Sequence, residues 1–399
     1  MTDAVEQVPV VISGAGPIGL TTALILACAG VRSIVLEKKP ALDARSRATL
    51  IVPASLQLFE HLGVLQPLLH KGERNDAIRI LRASDRKPLL KFDFGDLADR
   101  TPTPFALALS QDRTERILLD ELLKTGQSEV AFATPFEKFE AVGDTVRVHV
   151  SGGRVIEAAF LVGADGAHSG VREQLQWRLE GKTYPTRAVL ADVRVAPSND
   201  TRAGWLADPK AASFTLGIRF ADGVWRIIES AVADDLADDD LPEHARTLTA
   251  GLFGPGAWRE TLWTAAYRKH ERRSDRYVSG RIALAGDAAH LNSPAGGQGM
   301  NAGLGDADRL GRALIAGLAE PAKAAAELGR YEQERIAVFD HEIRGLTDAL
   351  EGMERSRHGC AASPFRQSAW RAHSASNGSW HRSCRCSTRR NGVDRDVHP

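Results

Sequence analysis

A glycine-rich turn near the start of the chain constrains the fold more than any other feature of the sequence. Residues 8–12 are mostly β-branched and predict a buried strand. The strand leads into the run Gly14-Ala15-Gly16-Pro17-Ile18-Gly19, after which residues 20–29 predict a helix and residues 32–36 a second strand. A strand, a glycine turn, a helix and a strand in this order are typical of a Rossmann dinucleotide-binding unit.

Each glycine of this turn has its own expected role. Gly14 permits the tight turn, Gly16 lets the backbone approach a pyrophosphate, and Gly19 lets the helix pack close to the strand. The helix N-terminus then presents free N–H groups and the positive end of its dipole to the phosphates. Glu37 ends the second strand, where it can accept hydrogen bonds from an adenosine ribose. An acid at this position favours FAD or NAD over NADP, and the alternative is a glycine turn that binds no ligand.

The middle of the chain contains another predicted strand that leads into a glycine turn. Residues 160–162 predict the strand, and the turn Gly163-Ala164-Asp165-Gly166 follows it. Ser169 and Arg172 then lie at the start of a predicted helix. Arg172 is expected to contribute to function, although a surface ion pair is the alternative.

A third turn of this kind lies late in the chain. Residues 282–285 predict a strand that ends at Gly286-Asp287, and Asp287 can accept hydrogen bonds from sugar-like hydroxyls. The glycine loop at 296–299 then opens a further helix. Its glycines let a flat ring approach backbone N–H groups, and the positive helix end would favour an anionic reduced flavin.

The three motifs together resemble those of the class A, single-component FAD-dependent monooxygenases with the p-hydroxybenzoate hydroxylase fold. Members of that family carry a GxGxxG turn, a central DG motif and a late GD motif in this order, and the resemblance covers about residues 8 to 350. It implies an α/β protein in which a Rossmann-like FAD-binding domain is interleaved with a β-sheet substrate domain.

The resemblance also implies which residues hold the cofactor. Glu37 would bind the adenosine ribose, Arg47 and Gln111 would touch the pyrophosphate and ribityl region, and Asp287 would hold the ribityl chain. The predicted cofactor-binding residues are Gly14, Gly16, Pro17, Ile18, Gly19, Glu37, Lys38, Arg47, Gln111, Asp165, Arg172, Gly286, Asp287, Pro294, Gly297, Gly299, Met300 and Asn301. The loop expected to border the isoalloxazine ring comprises Pro294, Gly296, Gly297 and Gln298.

The activity that the resemblance implies is hydroxylation of a small aromatic, phenolic or polyketide-like substrate. FAD, O2 and NADPH or NADH would be required, and a flavin C4a-hydroperoxide would supply the oxygen. A second dinucleotide motif is missing from the sequence, so the choice of nicotinamide stays open, and neither a substrate-activating base nor a metal ligand is predicted. The alternatives are a same-fold epoxidase or isoprenoid reductase and an inactive flavin-binding protein, whereas the halogenase signature WxWxIP is absent.

The spacing of the motifs predicts interleaved domains. We assign residues 1–77, 108–183 and 278–356 to the FAD-binding domain and residues 78–107 and 184–277 to the substrate domain. The second substrate segment contains strand-like runs at 213–220 and 224–230, joined by a turn with the Asp-Gly pair that hairpins favour. Phe214, Trp225 and Arg226 lie on these runs as candidate substrate contacts, and strand alternation directs only half of such residues inward.

Two histidines in the motifs invite a catalytic role that we do not assign. We interpret His290 as a packed, hydrogen-bonded residue and His168 as a surface residue near a helix start. The acidic loop at 234–240 is expected to be solvated rather than a metal site.

Composition excludes several classes of protein. The 51 basic and 51 acidic side chains give a formal net charge of zero, so a nucleic acid is not an expected partner. The longest apolar stretch, 18–31, is too short to span a bilayer, and the N-terminus does not resemble a secretory signal. With only four Cys, a reducing cytoplasm is expected. The oligomeric state stays open.

The last residues differ from the rest of the chain. Residues 357–399 contain no Leu, Ile, Met, Glu or Lys and are rich in Arg, Ser and His, so they lack the apolar periodicity of a folded segment. We interpret them as out-of-frame translation, with a natural disordered tail as the alternative. The group Cys384, Cys386, His373 and His381 lacks the spacing of a metal site.

Overall fold

The computed structural model describes residues 5–43, 48–82, 85, 87–196, 204–207, 214–232, 234–294 and 297–348. These residues form a mainly parallel sheet covered by helices, a second large sheet that is mainly antiparallel, and a small three-stranded sheet. The predicted α/β class, with a Rossmann-like unit interleaved with a second sheet, is confirmed. The predicted tail at 357–399 and the cysteines within it lie outside the described residues.

The elements are named in chain order. The strands are β1 (Glu6–Ser13), β2 (Ser33–Leu36), β3 (Leu50–Ile51), β4 (Glu73–Asn75), β5 (Ala77–Arg82), β6 (Pro88–Asp93), β7 (Ala106–Ala108), β8 (Ser128–Ala131), β9 (Phe136–Val142), β10 (Thr145–Val150), β11 (Val155–Gly163), β12 (Leu179–Val195), β13 (Gly204–Ala207), β14 (Phe214–Arg219), β15 (Val224–Val232), β16 (Trp258–Ser274), β17 (Val278–Ser279), β18 (Ile282–Leu284) and β19 (His290–Leu291). The α-helices are α1 (Pro17–Cys28), α2 (Pro53–His61), α3 (Leu65–Lys71), α4 (Gln111–Lys124), α5 (Gly170–Gln174), α6 (Leu241–Phe253), α7 (Gln298–Ala319) and α8 (Ala324–Val338), and a π-helical turn, Phe339–Ile343, follows α8.

The parallel sheet brings the three predicted glycine turns to one edge. Its strand order is β17-β18-β11-β1-β2-β8, and the pairs β18–β11, β11–β1, β1–β2 and β2–β8 are parallel. Because parallel strands end at the same edge of a sheet, the turns after β1, β11 and β18 meet there. The antiparallel strands β17 and β10 flank this parallel core.

Helix α1 is apolar on every side because it is buried from every side. Ten of its residues are buried, and it packs between the parallel sheet and helices α4 and α7. It begins at Pro17, three residues earlier than the predicted position 20. Proline at the first helical position has no N–H to satisfy and a fixed φ that suits the helix, so the glycine turn itself forms the helix start.

The second large sheet has the strand order β19-β16-β12-β15-β14-β13-β5-β6. Strand β12 is continuous from Leu179 to Val195, so it crosses the predicted domain boundary at 183/184, and β19 joins this sheet from within the predicted FAD segment. The predicted hairpin is present: β14 and β15 pair antiparallel, and Gly223 of the connecting turn has a φ of 80°. A positive φ is unstrained only for glycine, which explains the Asp-Gly pair.

Helix α6 covers one face of this second sheet. Ala191, Trp225 and Ile227 of the sheet pack with Ala245 and Leu252 of the helix. The opposite face is directed toward the FAD-binding elements, since Leu216 and Ile218 pack with Ala108. Alternation along each strand therefore decides which side chains face the interior between the two sheets. None of the helices in the described part of the chain has the length and apolar content to cross a bilayer.

Candidate functional site

A cavity of about 1200 Å³ lies between the two large sheets. The ends of β1, β2, β11 and β18 line one side, and the inner face of the antiparallel sheet lines the other. Drug-sized ligands occupy pockets of roughly 300–1,000 Å³. The cavity can therefore hold a dinucleotide and a second molecule beside it.

The glycine turn after β1 has the geometry of a pyrophosphate cradle. Gly14 has a φ of 107°, and a Cβ on it would lie 2.3 Å from the Ala164 carbonyl oxygen. A Cβ on Gly19 would lie 2.0 Å from the Gly14 carbonyl oxygen, so only glycine lets α1 cross the strand this closely. A Cβ on Gly16 would meet only open space on the cavity side. The open position at Gly16 and the closed ones at Gly14 and Gly19 are compatible with the three roles, which stay a prediction.

The N-terminus of α1 is left open toward the cavity. Gly16 is the N-cap residue and has no side chain with which to cap the helix. The first N–H groups of the helix, which lack intrahelical acceptors, and the positive end of the dipole are thus available to an anion. This arrangement fits the phosphates of a dinucleotide.

Glu37 lies at the end of β2 and lines the cavity. Its Oε2 accepts a hydrogen bond from the Ala15 N–H at 3.0 Å, and its Oε1 accepts one from the Lys39 N–H at 3.0 Å. Backbone donors therefore fix the carboxylate beside the glycine turn. A carboxylate held in this way has lone pairs left for the hydroxyls of a ribose.

Hydrogen bonds from β1 and from helix α5 fix the DG turn. Asp165 lines the cavity, and its Oδ2 accepts hydrogen bonds from Ser13 Oγ and the Val171 N–H, each at 3.3 Å. Burial raises the pKa of Asp165 above its ordinary value, although these donors oppose the shift. Ser169 caps helix α5 by accepting from the Arg172 N–H at 3.0 Å.

Arg172 joins two motif turns and does not line the cavity. Its guanidinium donates to the Ala167 carbonyl at 2.8 Å in the DG turn and to the Ala288 carbonyl at 3.0 Å after the GD turn. These two hydrogen bonds give Arg172 a supporting role between the turns, whereas its predicted contact with the cofactor stays a prediction.

Asn301 also supports the site without lining the cavity. Its Nδ2 donates to the Leu50 and Gly297 carbonyls, both at 2.9 Å. Its Oδ1 accepts from the Val52 N–H at 3.1 Å and from Ser55 Oγ at 2.9 Å. One buried amide thus ties the glycine loop at the start of α7 to the segment after β3.

The predicted cofactor residues divide into three groups. Those that line the cavity are Gly14, Gly16, Pro17, Ile18, Glu37, Lys38, Gln111, Asp165, Asp287, Pro294, Gly297, Gly299 and Met300. Those that do not line it are Gly19, Arg172, Gly286, Gln298 and Asn301. Arg47 and Gly296 lie outside the described residues.

A buried charge cluster behind the GD turn was not predicted. Asp306 accepts hydrogen bonds from the Gly286 N–H at 2.9 Å and from Arg335 Nε at 2.6 Å, and it lies 2.6 Å from His290 Nε2. Burial by itself would raise the pKa of Asp306, but His290 and Arg335 outweigh it and hold this pKa well below its ordinary value. His290 is thus packed and hydrogen-bonded, in agreement with its interpretation. A carboxylate inside the buried stripe of α7 is the sequence signal that could have indicated the cluster.

The inner face of the antiparallel sheet supplies an apolar wall. The residues that line the cavity from β14 and β15 are Phe214, Leu216, Ile218, Ile228 and Ser230. Tyr267, Lys269 and Asn292 add polar groups. An apolar pocket with a few polar groups suits a flat organic molecule that must be oriented.

The three candidate substrate residues have different positions on this sheet. Phe214 lines the cavity, whereas Trp225 faces away and packs against Phe253 with a ring-centroid distance of 4.6 Å. Arg226 is buried on the inner side, where it makes two hydrogen bonds of 2.8 Å to Asp192 and one of 3.2 Å to the Ala48 carbonyl. It connects the substrate sheet to the chain next to position 47.

The fold and the cavity define a dinucleotide-binding α/β protein whose ligand lies where the parallel strands end. The chain belongs to the family described as "FAD binding domain", which it matches over residues 7–344. FAD is therefore its cofactor, and the observed open glycine, the uncapped helix and the fixed Glu37 fit that molecule. Among the described residues, no group of three or more His, Cys, Asp or Glu side chains is placed to hold a metal ion.

Known relatives are flavin-dependent monooxygenases. Para-nitrophenol 4-monooxygenase of Pseudomonas sp. strain WBC-3 is 29% identical over 338 residues, which cover 83% of this chain and 83% of that protein. The crystal structure of p-nitrophenol 4-monooxygenase PnpA from Pseudomonas putida DLL-E4 matches with a TM-score of 0.80 and 26% identity, and the match covers 93% of this chain and 95% of that one. Aklavinone-11 hydroxylase, in its ternary complex with FAD and aklavinone, matches with a TM-score of 0.75 and 28% identity over 88% of this chain and 70% of that one. The resemblance stated from the motifs is confirmed.

Proposed function

We propose that this protein is an FAD-dependent monooxygenase that uses NADPH or NADH and O2 to hydroxylate a small aromatic substrate. One observation carries the proposal: a single continuous cavity joins the three glycine turns to the apolar inner face of the antiparallel sheet. The reacting ring and the cofactor can therefore share one cavity. Relatives named as monooxygenases or hydroxylases of aromatic compounds support this proposal.

We assign the parts of FAD to the cavity residues by chemistry. The Gly14–Gly19 turn and the start of α1 suit the pyrophosphate, and Glu37 suits the adenosine ribose. Gln111 and Asp287 can bind hydroxyl groups between the two ends, and the loop from Pro294 to Met300 lies beside the isoalloxazine. The interleaved domain boundaries at 77/78, 107/108, 183/184 and 277/278 remain part of this proposal.

The protein's own task is binding, orientation and exclusion of water. When bound, FAD accepts hydride from the nicotinamide and activates O2 for transfer of one oxygen atom to an electron-rich ring. The apolar wall of Leu216, Ile218 and Ile228 keeps water away from that ring. Ser230 and Tyr267 offer hydroxyl groups that can orient a polar substituent.

The cellular location is inferred from the cysteines. Among the described residues, Cys28 is the cysteine outside any disulfide, and it packs against the apolar core. The described part of the chain relies on packing rather than on disulfides, which fits a reducing compartment, so we infer the cytoplasm.

Oxidation of NADPH and NADH by the FAD-loaded protein should accelerate in the presence of its substrate. A panel of phenols and larger polycyclic aromatics is added, and hydrogen peroxide is measured alongside. A substrate should raise the oxidation rate while peroxide stays low, and ¹⁸O from labelled O2 should appear in the product. Product without the label would favour a reductase of the same fold. A yellow protein that oxidises neither nicotinamide with any panel member would favour an inactive flavin-binding protein.

A larger side chain on the apolar wall should lower the activity and leave FAD in place. Ile228→Trp places a large ring in the cavity beside Leu216, so we expect kcat/KM to fall about tenfold or more, a loss of at least ~1.4 kcal/mol of transition-state binding. FAD affinity should not change. The control is Leu262→Trp on the same sheet, where the side chain is 43% exposed, and it should leave both quantities unchanged. Equal activity in the two variants would place the substrate elsewhere.

A further inference from the structure

Glu115 is an acid buried in the wall of a cavity that takes an anionic cofactor. It lies in α4, its exposed fraction is 6%, and it lines the cavity together with Gln111. Gln111 is one of the predicted FAD-binding residues, whereas the sequence gives no indication that Glu115 has a role. The mechanism above leaves it without a role.

The position of Glu115 is fixed by Gln111. Gln111 Nε2 donates to Glu115 Oε1 at 2.8 Å, and Gln111 Oε1 accepts from the Ala48 N–H at 3.4 Å. The carboxyl group therefore sets which end of the Gln111 amide faces the chain at Ala48. Its protonation state acts directly on a side chain that lines the cofactor cavity.

The surroundings of Glu115 favour a neutral carboxyl group. Burial, together with the charges of Asp112 and Asp43, raises the pKa of Glu115 to about 7, although the hydrogen bond from Gln111 acts to lower it. Lys39 opposes these two acids. Near neutral pH both forms of Glu115 are thus populated before any ligand binds.

An anionic ligand shifts this balance in one direction. The pyrophosphate of FAD brings negative charge into the cavity that Glu115 lines, and a like charge nearby disfavours a carboxylate. A neutral carboxyl group also has an O–H to donate, whereas a carboxylate can only accept. Both effects favour the protonated form when FAD is present.

We propose that FAD binds to the form of the protein in which Glu115 is protonated, so that cofactor binding is coupled to the uptake of one proton from solvent. The inference rests on FAD as the cofactor but not on the hydroxylation reaction. By linkage, raising the pH above the point where free Glu115 ionises weakens FAD binding, because the proton must then be supplied with the cofactor. One coupled proton corresponds to a tenfold change in the dissociation constant for each pH unit.

Titration of the flavin-free, full-length protein with FAD tests this coupling. The dissociation constant is measured from the quenching of FAD fluorescence between about pH 6 and about pH 8.5, on either side of the Glu115 transition. For the wild type it should rise above pH 7 with a slope that approaches tenfold per pH unit. Glu115→Gln, which imitates the neutral acid, should bind FAD at every pH as tightly as the wild type does at the lowest pH.

A matched control and a direct proton count complete the test. Glu121→Gln changes an acid that lies further along α4 and pairs with Lys124, and it should follow the wild-type curve. Calorimetry at about pH 8 in two buffers of different ionisation enthalpy should show the wild type taking up close to one proton per FAD, and Glu115→Gln close to none.

Each other outcome overturns the inference. A flat wild-type curve, or the same slope in wild type and Glu115→Gln, would show that Glu115 is not coupled to the cofactor. If Glu115→Gln does not fold, the calorimetric proton count on the wild type decides alone. FAD binding without proton uptake contradicts this inference and leaves the proposed function intact, whereas a protein that binds no FAD at any pH contradicts both.

Discussion

Gly19→Ala should unfold the start of α1 and abolish FAD binding. The added Cβ would lie 2.0 Å from the Gly14 carbonyl oxygen, and this neighbour is backbone that cannot rotate away. Overpacking of a core typically destabilises by about 1–3 kcal/mol, and a clash with backbone belongs at the upper end of that range. We therefore expect a lower melting temperature together with the loss of the flavin absorbance of the purified protein.

Gly16→Ala should lose the cofactor while the protein stays folded. A Cβ at this position meets open space on the cavity side, so the melting temperature of the flavin-free protein should not change. The same methyl group would occupy the room that a pyrophosphate needs, and we expect FAD affinity to fall about 100-fold, which corresponds to ~2.7 kcal/mol.

A third glycine provides the control for both substitutions. Gly329 lies inside α8, and a Cβ there meets no other atom within 4 Å. Alanine is a better helix former than glycine by roughly 0.5–1 kcal/mol, so Gly329→Ala should stabilise the protein slightly and leave FAD binding unchanged. If Gly16→Ala bound FAD as well as Gly329→Ala does, the pyrophosphate could not lie at this turn.

The glycine turns could be predicted because their requirements are local. Gly14 needs a positive φ and a close approach, Gly19 needs a missing side chain, and both are visible as glycine after a β-branched run. The edge of the parallel sheet then brings the DG and GD turns to the same place without any further information. The hairpin at Gly223 was predictable for the same reason.

The supporting contacts depend on residues far apart in the chain and could not be predicted. Asn301 accepts a hydrogen bond from Val52, which lies 249 positions earlier, and nothing in the local sequence of either residue indicates the other. Arg172 was assigned to the cofactor because it follows the DG motif, but its partners are the carbonyls of Ala167 and Ala288. Proximity to a motif does not distinguish a residue that contacts a ligand from one that holds the motif in place.

The sequence also does not determine which face of the large antiparallel sheet is directed toward the cavity. Trp225 and Arg226 are adjacent, and alternation requires them to face opposite ways without deciding which faces inward. Asp192 on β12 decides it, because its carboxylate forms a bidentate pair with Arg226 and thereby directs Trp225 toward α6. This ion pair depends on how β12 and β15 are aligned, so the sequence of either strand alone does not indicate it.

Asp306→Asn should lower the free energy of unfolding by about 3–5 kcal/mol, the usual effect of removing one partner of a buried ion pair. The Asp306 side chain is fully buried, and the variant would leave the Arg335 guanidinium beside a neutral amide. The Gly286 N–H also loses its carboxylate acceptor, so the turn that carries Asp287 should bind FAD less tightly. Chemical denaturation and FAD titration measure the two effects.

Asp308→Asn on the same helix is the control, because it removes a carboxylate that is not fully buried. Asp308 pairs with Arg312 at 2.9 Å, but both side chains are more than a quarter exposed, so the loss should be about 0–1 kcal/mol. Because the pKa of Asp306 is depressed in the folded protein, the carboxylate stabilises the fold above the unfolded pKa of about 3.9. The difference between wild type and Asp306→Asn should therefore shrink as the pH falls below about 4. Equal destabilisation by the two variants, or a difference that grows in acid, would show that Asp306 does not anchor the GD turn as a buried anion.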